Sequence, residues 1–207
     1  MKLQPWFLLA AIAAAGCGGY DAPDEVTFGQ LVYTQPAPNP GGPPSDLFIP
    51  LNSYYLDPLL EVWKDGVQQP GATPLPTQAS TVINTRMGTY GYTQDQTTGT
   101  GGVPNADVGI RLAYIQTTQA YYYNYCSIYW AYYYCYPGWA YAGSYTTGTV
   151  LVQMVGLKTI GTVVTPGKAL WVSALYSVLG SAGLENAPRL TSALNQAFDQ
   201  SPYLKTN

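Results

Sequence analysis

Histidine is absent from this chain of 207 residues, and charged residues make up only 9% of it. Without histidine there can be no Ser-His-Asp or Cys-His catalytic arrangement, and no imidazole ligand for zinc or haem. The 8 Lys and Arg are outnumbered by 11 Asp and Glu, so the chain lacks the basic surface that nucleic acid requires. We therefore expect no catalytic residues, no metal site, no cofactor and no nucleic-acid partner.

The chain also lacks the composition of a disordered protein. Hydrophobic residues make up 47% of it, far above the low-hydrophobicity, high-charge range of disordered segments. The length suits one domain with a substantial core. We expect a single domain over 26–207.

No apolar run at the N-terminus is long enough to span a bilayer. The stretch 6–15 is apolar but falls well short of about 20 residues, and Lys2 is its only flanking charge. The sequence Ala14-Ala15-Gly16-Cys17 resembles the bacterial lipobox, in which the Cys becomes acylated and N-terminal. We predict a signal peptide over 1–16, a palmitate-type lipid anchor on Cys17 and a tether over 17–25. The alternative is an ordinary cleaved signal that leaves Cys17 as a free thiol.

The residue after the Cys is Gly18 and not Asp, which is typical of lipoproteins sorted to the outer membrane. The predicted location is therefore the outer membrane of a bacterial envelope, on its periplasmic or surface face. If Cys17 is acylated, Cys126 and Cys135 remain as an even pair in an oxidising compartment, which predicts a disulfide. That bond needs Cα atoms within about 7 Å, and a hairpin turning between Tyr129 and Tyr132 would supply this.

Local patterns predict an α+β fold: a mostly antiparallel sheet with two helices packed on one face, plus a Tyr-rich extended insert. Alternating or β-rich segments predict strands at 26–33, 107–117, 148–158 and 168–179. Helical spacing predicts helices at 77–87, closed by Gly88, and at 187–200. Trp171 and Phe198 are predicted core residues.

The segment 57–67 has two interpretations. Asp65-Gly66 is typical of a hairpin turn, whereas Asp57-Pro58 suits the start of a helix. The Pro-rich segment 36–44 is predicted to remain outside any ladder.

Charges within the predicted domain have ordinary explanations. Asp57, Glu61 and Asp65 recur every four residues, which favours a solvated face over paired catalytic carboxylates. Arg111 lies within a predicted strand, opposite the apolar positions. We expect it on an exposed sheet face; the alternative is a buried pair with an acid.

No charged residue occurs in the 46 positions from Leu112 to Leu157, and 12 tyrosines crowd one part of this segment. We predict a Tyr-rich insert over about 118–146. Tyr combines a large ring with a hydroxyl, which suits contact with a glycan or another envelope protein. The alternative is that the insert packs back on the sheet. The candidate binding surface comprises Tyr121, Tyr122, Tyr123, Tyr125, Tyr129, Trp130, Tyr132, Tyr133, Tyr134 and Trp139.

Two motifs in the second half are distinctive. They are Ala106-Asp107-Val108-Gly109-Ile110 and Leu194-Asn195-Gln196-Ala197-Phe198-Asp199, the latter continuing to residue 204. On these, the chain resembles the bacterial lipoprotein family called domain of unknown function 4136, mainly in residues 77–204. The resemblance implies a lipid-anchored α+β domain without an established activity, and supplies no catalytic residues.

Two classes of function follow. The first is a non-enzymatic, lipid-anchored envelope protein that uses its Tyr-rich surface for binding or structure. The second is a histidine-free hydrolase, such as a carboxylate-based glycosidase, which would need two facing carboxyl groups in a cleft.

Overall fold

A computed structural model describes residues 32–39, 42–65, 67–71, 73–116, 125–129, 132–136, 148–161, 164–176, 178 and 187–206. The predicted signal peptide, Cys17 and the tether lie outside these ranges. The strands are β1 (Val32–Pro36), β2 (Ser53–Lys64), β3 (Val67–Gln68), β4 (Thr73–Pro74), β5 (Thr93–Gln94), β6 (Val108–Gln116), β7 (Tyr125–Tyr129), β8 (Tyr132–Tyr136), β9 (Thr149–Gly156) and β10 (Ala169–Leu175). The helices are α1 (Thr77–Thr89) and α2 (Ala187–Asp199).

Eight strands form one sheet in the order β1-β10-β9-β6-β2-β3, with β4 and β5 also pairing with β2. The α+β prediction is confirmed, but the sheet is mixed, because β2 runs parallel to both β6 and β5. Parallel neighbours need a crossover connection, and the chain between β2 and β6 supplies one that contains α1.

The main core lies between the two helices and one face of the sheet. Alternate residues of β6, beginning at Val108, belong to this core, as the sequence predicts. The apolar stripe of α2 is buried against them. Trp171 and Phe198 are both fully buried, with ring centroids 5.6 Å apart, so their prediction as core residues is confirmed.

A second buried cluster lies on the sheet face opposite the helices. Its members occupy the intervening strand positions: Trp63, Ala113, Ile115, Leu151 and Ala174. Both faces of the sheet are therefore buried in this region.

The hairpin interpretation of 57–67 is confirmed, and the competing helix is wrong. β2 runs through Asp57 and pairs with β3, with Lys64 opposite Val67. Asp65, in the turn, has a φ of +48°, a left-handed conformation that Asp tolerates better than most residues.

Two predicted boundaries are wrong. α1 continues through Gly88 and ends at Thr89. The glycine that adopts a left-handed φ after this helix is Gly91, at +96°, and not Gly88. The β1–β10 ladder reaches into the Pro-rich segment, because Pro36 ends β1 and the Ala37 N–H donates to the Leu170 carbonyl at 2.7 Å. Proline is tolerated there because β1 is the last strand in the described order of the sheet. None of the described helices has the length and apolar character needed to cross a bilayer.

Candidate functional site

The predicted binding surface falls partly on a two-stranded antiparallel sheet formed by β7 and β8, separate from the main sheet. Tyr129 lies opposite Tyr132, so the predicted hairpin is confirmed. Cys126 lies directly opposite Cys135. Directly opposed residues of antiparallel strands have Cα atoms about 4.5–5.5 Å apart, within the range that a disulfide spans. The disulfide itself stays a prediction.

The register of this hairpin divides its residues between two faces. Because opposed residues share a face and neighbours alternate, Tyr125, Ser127, Tyr129, Tyr132, Tyr134 and Tyr136 occupy one face, here called the Tyr face. Cys126, Ile128, Tyr133 and Cys135 occupy the other, here called the Cys face. The other predicted surface residues, Tyr121, Tyr122, Tyr123, Trp130 and Trp139, lie outside the described ranges.

Strict alternation over 125–129 and 132–136 would have revealed this division from the sequence. It separates Tyr133 from the other candidates and adds Tyr136, which the sequence interpretation omitted. The two faces thus differ in composition: the Tyr face carries five tyrosines and Ser127, and the Cys face carries both cysteines, Ile128 and a single tyrosine, Tyr133.

Sequence reasoning did not expect the buried ionic cluster on β2, β6 and β9. Arg111 is only 1% exposed, and its Nη1 lies 3.3 Å from Oε1 of Glu61. Its Nε and Nη2 donate to Oε1 of Gln153 at 3.0 and 2.8 Å. Trp63 Nε1 donates to the second carboxylate oxygen of Glu61 at 2.9 Å. The exposed-face prediction for Arg111 is wrong, and the alternative of a buried pair with an acid is confirmed.

A bulge in β2 makes room for this arginine. Leu56 pairs with Ile110 and Leu60 with Leu112, so three residues of β2 lie opposite Arg111 alone. Within the bulge, Oδ1 of Asp57 accepts a hydrogen bond from the Leu59 N–H at 2.8 Å. Bulges of this kind re-aim side chains and interrupt pairing, and here the guanidinium extends beyond the bulge to Glu61.

Burial places Asp57 and Glu61 in an environment very different from the solvated face that their spacing predicts. They are 2% and 6% exposed, so that prediction is wrong for both, whereas Asp65 is exposed. Desolvation raises the pKa of Glu61, while the charge of Arg111 and the hydrogen bond from Trp63 oppose the rise. Both carboxylate oxygens of Glu61 are engaged, so this group holds strands together.

The first of the two distinctive motifs, at residues 106–110, joins the start of β6 to the start of β2. Oδ2 of Asp107 accepts hydrogen bonds from the backbone N–H groups of Asn52 and Ser53 at 2.9 and 3.1 Å. Its Oδ1 lies 3.3 Å from Nζ of Lys158. The Asp107 N–H in turn donates to Oγ of Ser53 at 3.0 Å. The aspartate therefore fixes the β2–β6 register.

The second motif joins the two helices. Arg86 of α1 donates to both carboxylate oxygens of Asp199 at 2.8 and 3.3 Å, and to Oδ1 of Asn195 at 2.7 Å. The Tyr90 hydroxyl donates to the Phe198 carbonyl at 2.5 Å. These contacts explain the second motif by its structural role, which is to join α1 to α2. This role requires no reacting group. Within the described part of the chain, no group of three or more Cys, Asp or Glu residues could hold a metal ion.

Comparison with known proteins identifies a family and a fold. A family profile described as "Domain of unknown function (DUF4136)" matches residues 63–203, more than half of the chain. A DUF4136 family protein from Bacteroides thetaiotaomicron has a similar fold, with 24% identity, a TM-score of 0.57, and coverage of 86% of this chain and 98% of that one. The PelC dodecamer from Paraburkholderia phytofirmans matches with 10% identity and a TM-score of 0.36, over 86% of this chain and 99% of that one. No curated protein matches this chain.

Proposed function

The chain belongs to the DUF4136 family, a family of unknown function. From the lipobox-like sequence at Cys17, the absence of histidine and the Tyr-rich hairpin, we propose that it is a non-enzymatic, lipid-anchored envelope protein. In this proposal a lipid on Cys17 holds the domain at the outer membrane. The Tyr-rich segment then serves as a binding or structural surface for a glycan or another envelope protein.

The Tyr face of the hairpin carries this proposal. Five tyrosines and one serine occupy it, on strands that belong to no larger sheet among the described residues. Tyrosine buries a large ring at low entropic cost and offers a hydroxyl to a polar partner. A sugar presents both apolar faces and hydroxyl groups, so a glycan suits such a face.

The contacts of three described acids support a non-enzymatic role. Glu61 is bonded to Arg111 and Trp63, Asp107 to two backbone N–H groups, and Asp199 to Arg86. A carboxylate-based glycosidase needs one carboxyl group to donate a proton and another to act across the substrate. The side chain of Glu61 is only 4% exposed, which leaves it poorly placed to meet a substrate.

One observation favours a second role for the insert, as part of the fold. The sheet face opposite the helices is buried, with Ala113, Ile115 and Leu151 fully covered. A Tyr-rich insert that packs on this face would stabilise the domain and leave less surface for a partner.

Replacing 119–144 with a short Gly/Ser linker distinguishes these two roles. If the insert is a contact surface, the shortened chain keeps its Tm and loses its crosslinks to envelope components in cells. Unfolding or precipitation of the shortened chain would contradict the contact role and identify the insert as part of the core.

Paired substitutions on the hairpin make the test sharper. Tyr129→Ala with Tyr134→Ala removes two rings from the Tyr face, and Tyr133→Ala, on the Cys face, is the matched control. We expect the crosslinks to weaken in the double variant alone. Equal loss in both would show that the Tyr face is not the contact.

The lipid anchor is tested separately. Metabolic labelling with an alkyne palmitate analogue should mark the wild type and the Cys126→Ala control, and should not mark Cys17→Ala. Equal labelling of all three would contradict acylation at Cys17.

A further inference from the structure

A small polar cleft lies beside the β2 bulge, between this strand, α1 and β5. Its volume is about 190 Å³. Eight residues line it: the apolar Leu56, Pro58 and Leu75, the acidic Asp57, and the neutral polar Ser80, Asn84, Gln94 and Gln96. All of these residues precede the Tyr-rich insert in the sequence, so substitutions in the cleft leave the residues of the proposed contact surface unchanged.

Hydrogen bonds hold the walls of this cleft in place. The Leu75 N–H donates to the Pro58 carbonyl at 2.8 Å, which joins the segment before α1 to the bulge. Nε2 of Gln96 donates to the Leu56 carbonyl at 3.1 Å. The Tyr54 hydroxyl donates to Oδ1 of Asn84 at 2.9 Å. The cleft is therefore preorganised around two oriented amides.

These bonds leave one end of each amide available. Oδ1 of Asn84 and Nε2 of Gln96 are engaged, so Nδ2 of Asn84 remains as a donor and Oε1 of Gln96 as an acceptor within the described structure. The Ser80 hydroxyl donates to the Thr77 carbonyl, which leaves its oxygen as a further acceptor. The cleft thus presents donors and acceptors together.

Charge narrows the class of ligand. No Lys or Arg lines the cleft, and Asp57 is one of its lining residues, so an anion would find no counter-charge there. A hydroxyl group both donates and accepts, which matches the mixed amide and hydroxyl groups. The volume is below the roughly 300–1,000 Å³ of sites for drug-sized ligands, which favours a single ring.

We propose that this cleft binds one neutral pyranose unit of a glycan. Asn84 and Gln96 bond to its hydroxyl groups, and Pro58 and Leu75 contact its C–H face. The cleft would give the protein a second glycan contact that does not depend on the Tyr face.

Saturation-transfer NMR on the full chain in detergent micelles tests the proposal, with glucose and N-acetylglucosamine as probes. Methyl phosphate, whose methyl protons make binding observable, is the charged comparison. We expect at least one sugar to bind with a Kd in the millimolar range and methyl phosphate not to bind. Gln96→Leu should weaken sugar binding about tenfold or more, since it removes an acceptor. Gln68→Leu, an exposed glutamine on β3, is the matched control and should bind normally.

Gln94→Ala provides a second variant, because the exposed Gln94 side chain makes no hydrogen bond within the described ranges, so we expect its loss to leave the fold intact. It too should weaken sugar binding. Absence of sugar binding, tighter binding of methyl phosphate, or unchanged binding in both cleft variants would overturn the proposal. If the linker replacement of 119–144 abolishes sugar binding and the cleft variants do not, the cleft proposal fails while the Tyr-face proposal stands.

Discussion

Replacing Arg111 with Met should destabilise the domain strongly, because Glu61 would stay buried without its cation. The two charges lie 3.3 Å apart, with side chains 1% and 4% exposed. At an effective dielectric constant of about 20, their attraction is about 5 kcal/mol. Removing one partner of a buried pair typically lowers the free energy of unfolding by about 3–5 kcal/mol. We expect a loss in that range at pH 7, or about 6–20 °C in Tm.

The stability lost in Arg111→Met should depend on pH, in a direction that the pKa of Glu61 determines. Burial raises the pKa of Glu61 above its reference value of 4.5, and Arg111 opposes the rise. Without Arg111 that pKa rises further. The stability linked to a raised carboxyl pKa is fully present below the unfolded-state pKa and is lost as pH increases through the folded-state pKa. The deficit of Arg111→Met should therefore be smallest near pH 4 and grow toward neutrality.

Urea unfolding at acid and neutral pH would measure these effects in Arg111→Met, Glu61→Gln and the double variant. Glu61→Gln should restore part of the stability lost in Arg111→Met, since it removes the uncompensated charge. Lys158→Met is the matched control: its side chain is 49% exposed, and breaking its pair with Asp107 should lower stability by about 1 kcal/mol or less. An Arg111→Met loss no larger than that of this control, or one that does not shrink at acid pH, would refute the reasoning.

Three further predictions concern stability. The Cys126–Cys135 disulfide should add about 2–3 kcal/mol on a chain-entropy basis, and mass spectrometry of the exported chain under non-reducing conditions should show no free thiol at either position; two free thiols would contradict it. Phe198→Ala should lower the free energy of urea unfolding by about 3–5 kcal/mol, because it empties a fully buried site, and a loss near zero would contradict its core role. Gly91→Ala should lower Tm, because alanine at a φ of +96° is strained by about 1–2 kcal/mol. Gly88→Ala should raise Tm, because Gly88 lies within α1 and an added Cβ would meet open space there. The reverse order would be inconsistent with the observed helix end.

Local periodicity explains why much of the fold is predictable from the sequence. The alternation of β6 and the apolar stripe of α2 depend on side-chain spacing over a few residues, and the turn at Asp65 depends on a residue that tolerates a left-handed φ. The same holds for the hairpin that opposes Cys126 and Cys135, since a short turn sets the register of its strands. Family membership also follows from local motifs, although it brings no activity with it.

Helix ends were harder to predict, because capping depends on backbone conformation at single residues. Both Gly88 and Gly91 suit a helix end by composition, and only the structure shows that Gly91 has the left-handed φ. Likewise, the spacing of Asp57 and Glu61 fits a helix, yet β2 buries both. The local pattern was compatible with either structure, and pairing with β6 decided the outcome.

The sequence by itself determined many elements of this protein: the strands of its second half, its two helices, the Tyr-rich hairpin and the family to which it belongs. Tertiary structure alone decided the parallel pairing of β2 with β6, the bulge opposite Arg111 and the choice of Glu61 as its partner. Glu61 and Arg111 are 50 residues apart, so no local period relates them. Their contact depends on a two-residue offset in strand register, which is set by packing of the whole sheet and not by the spacing of side chains along one strand.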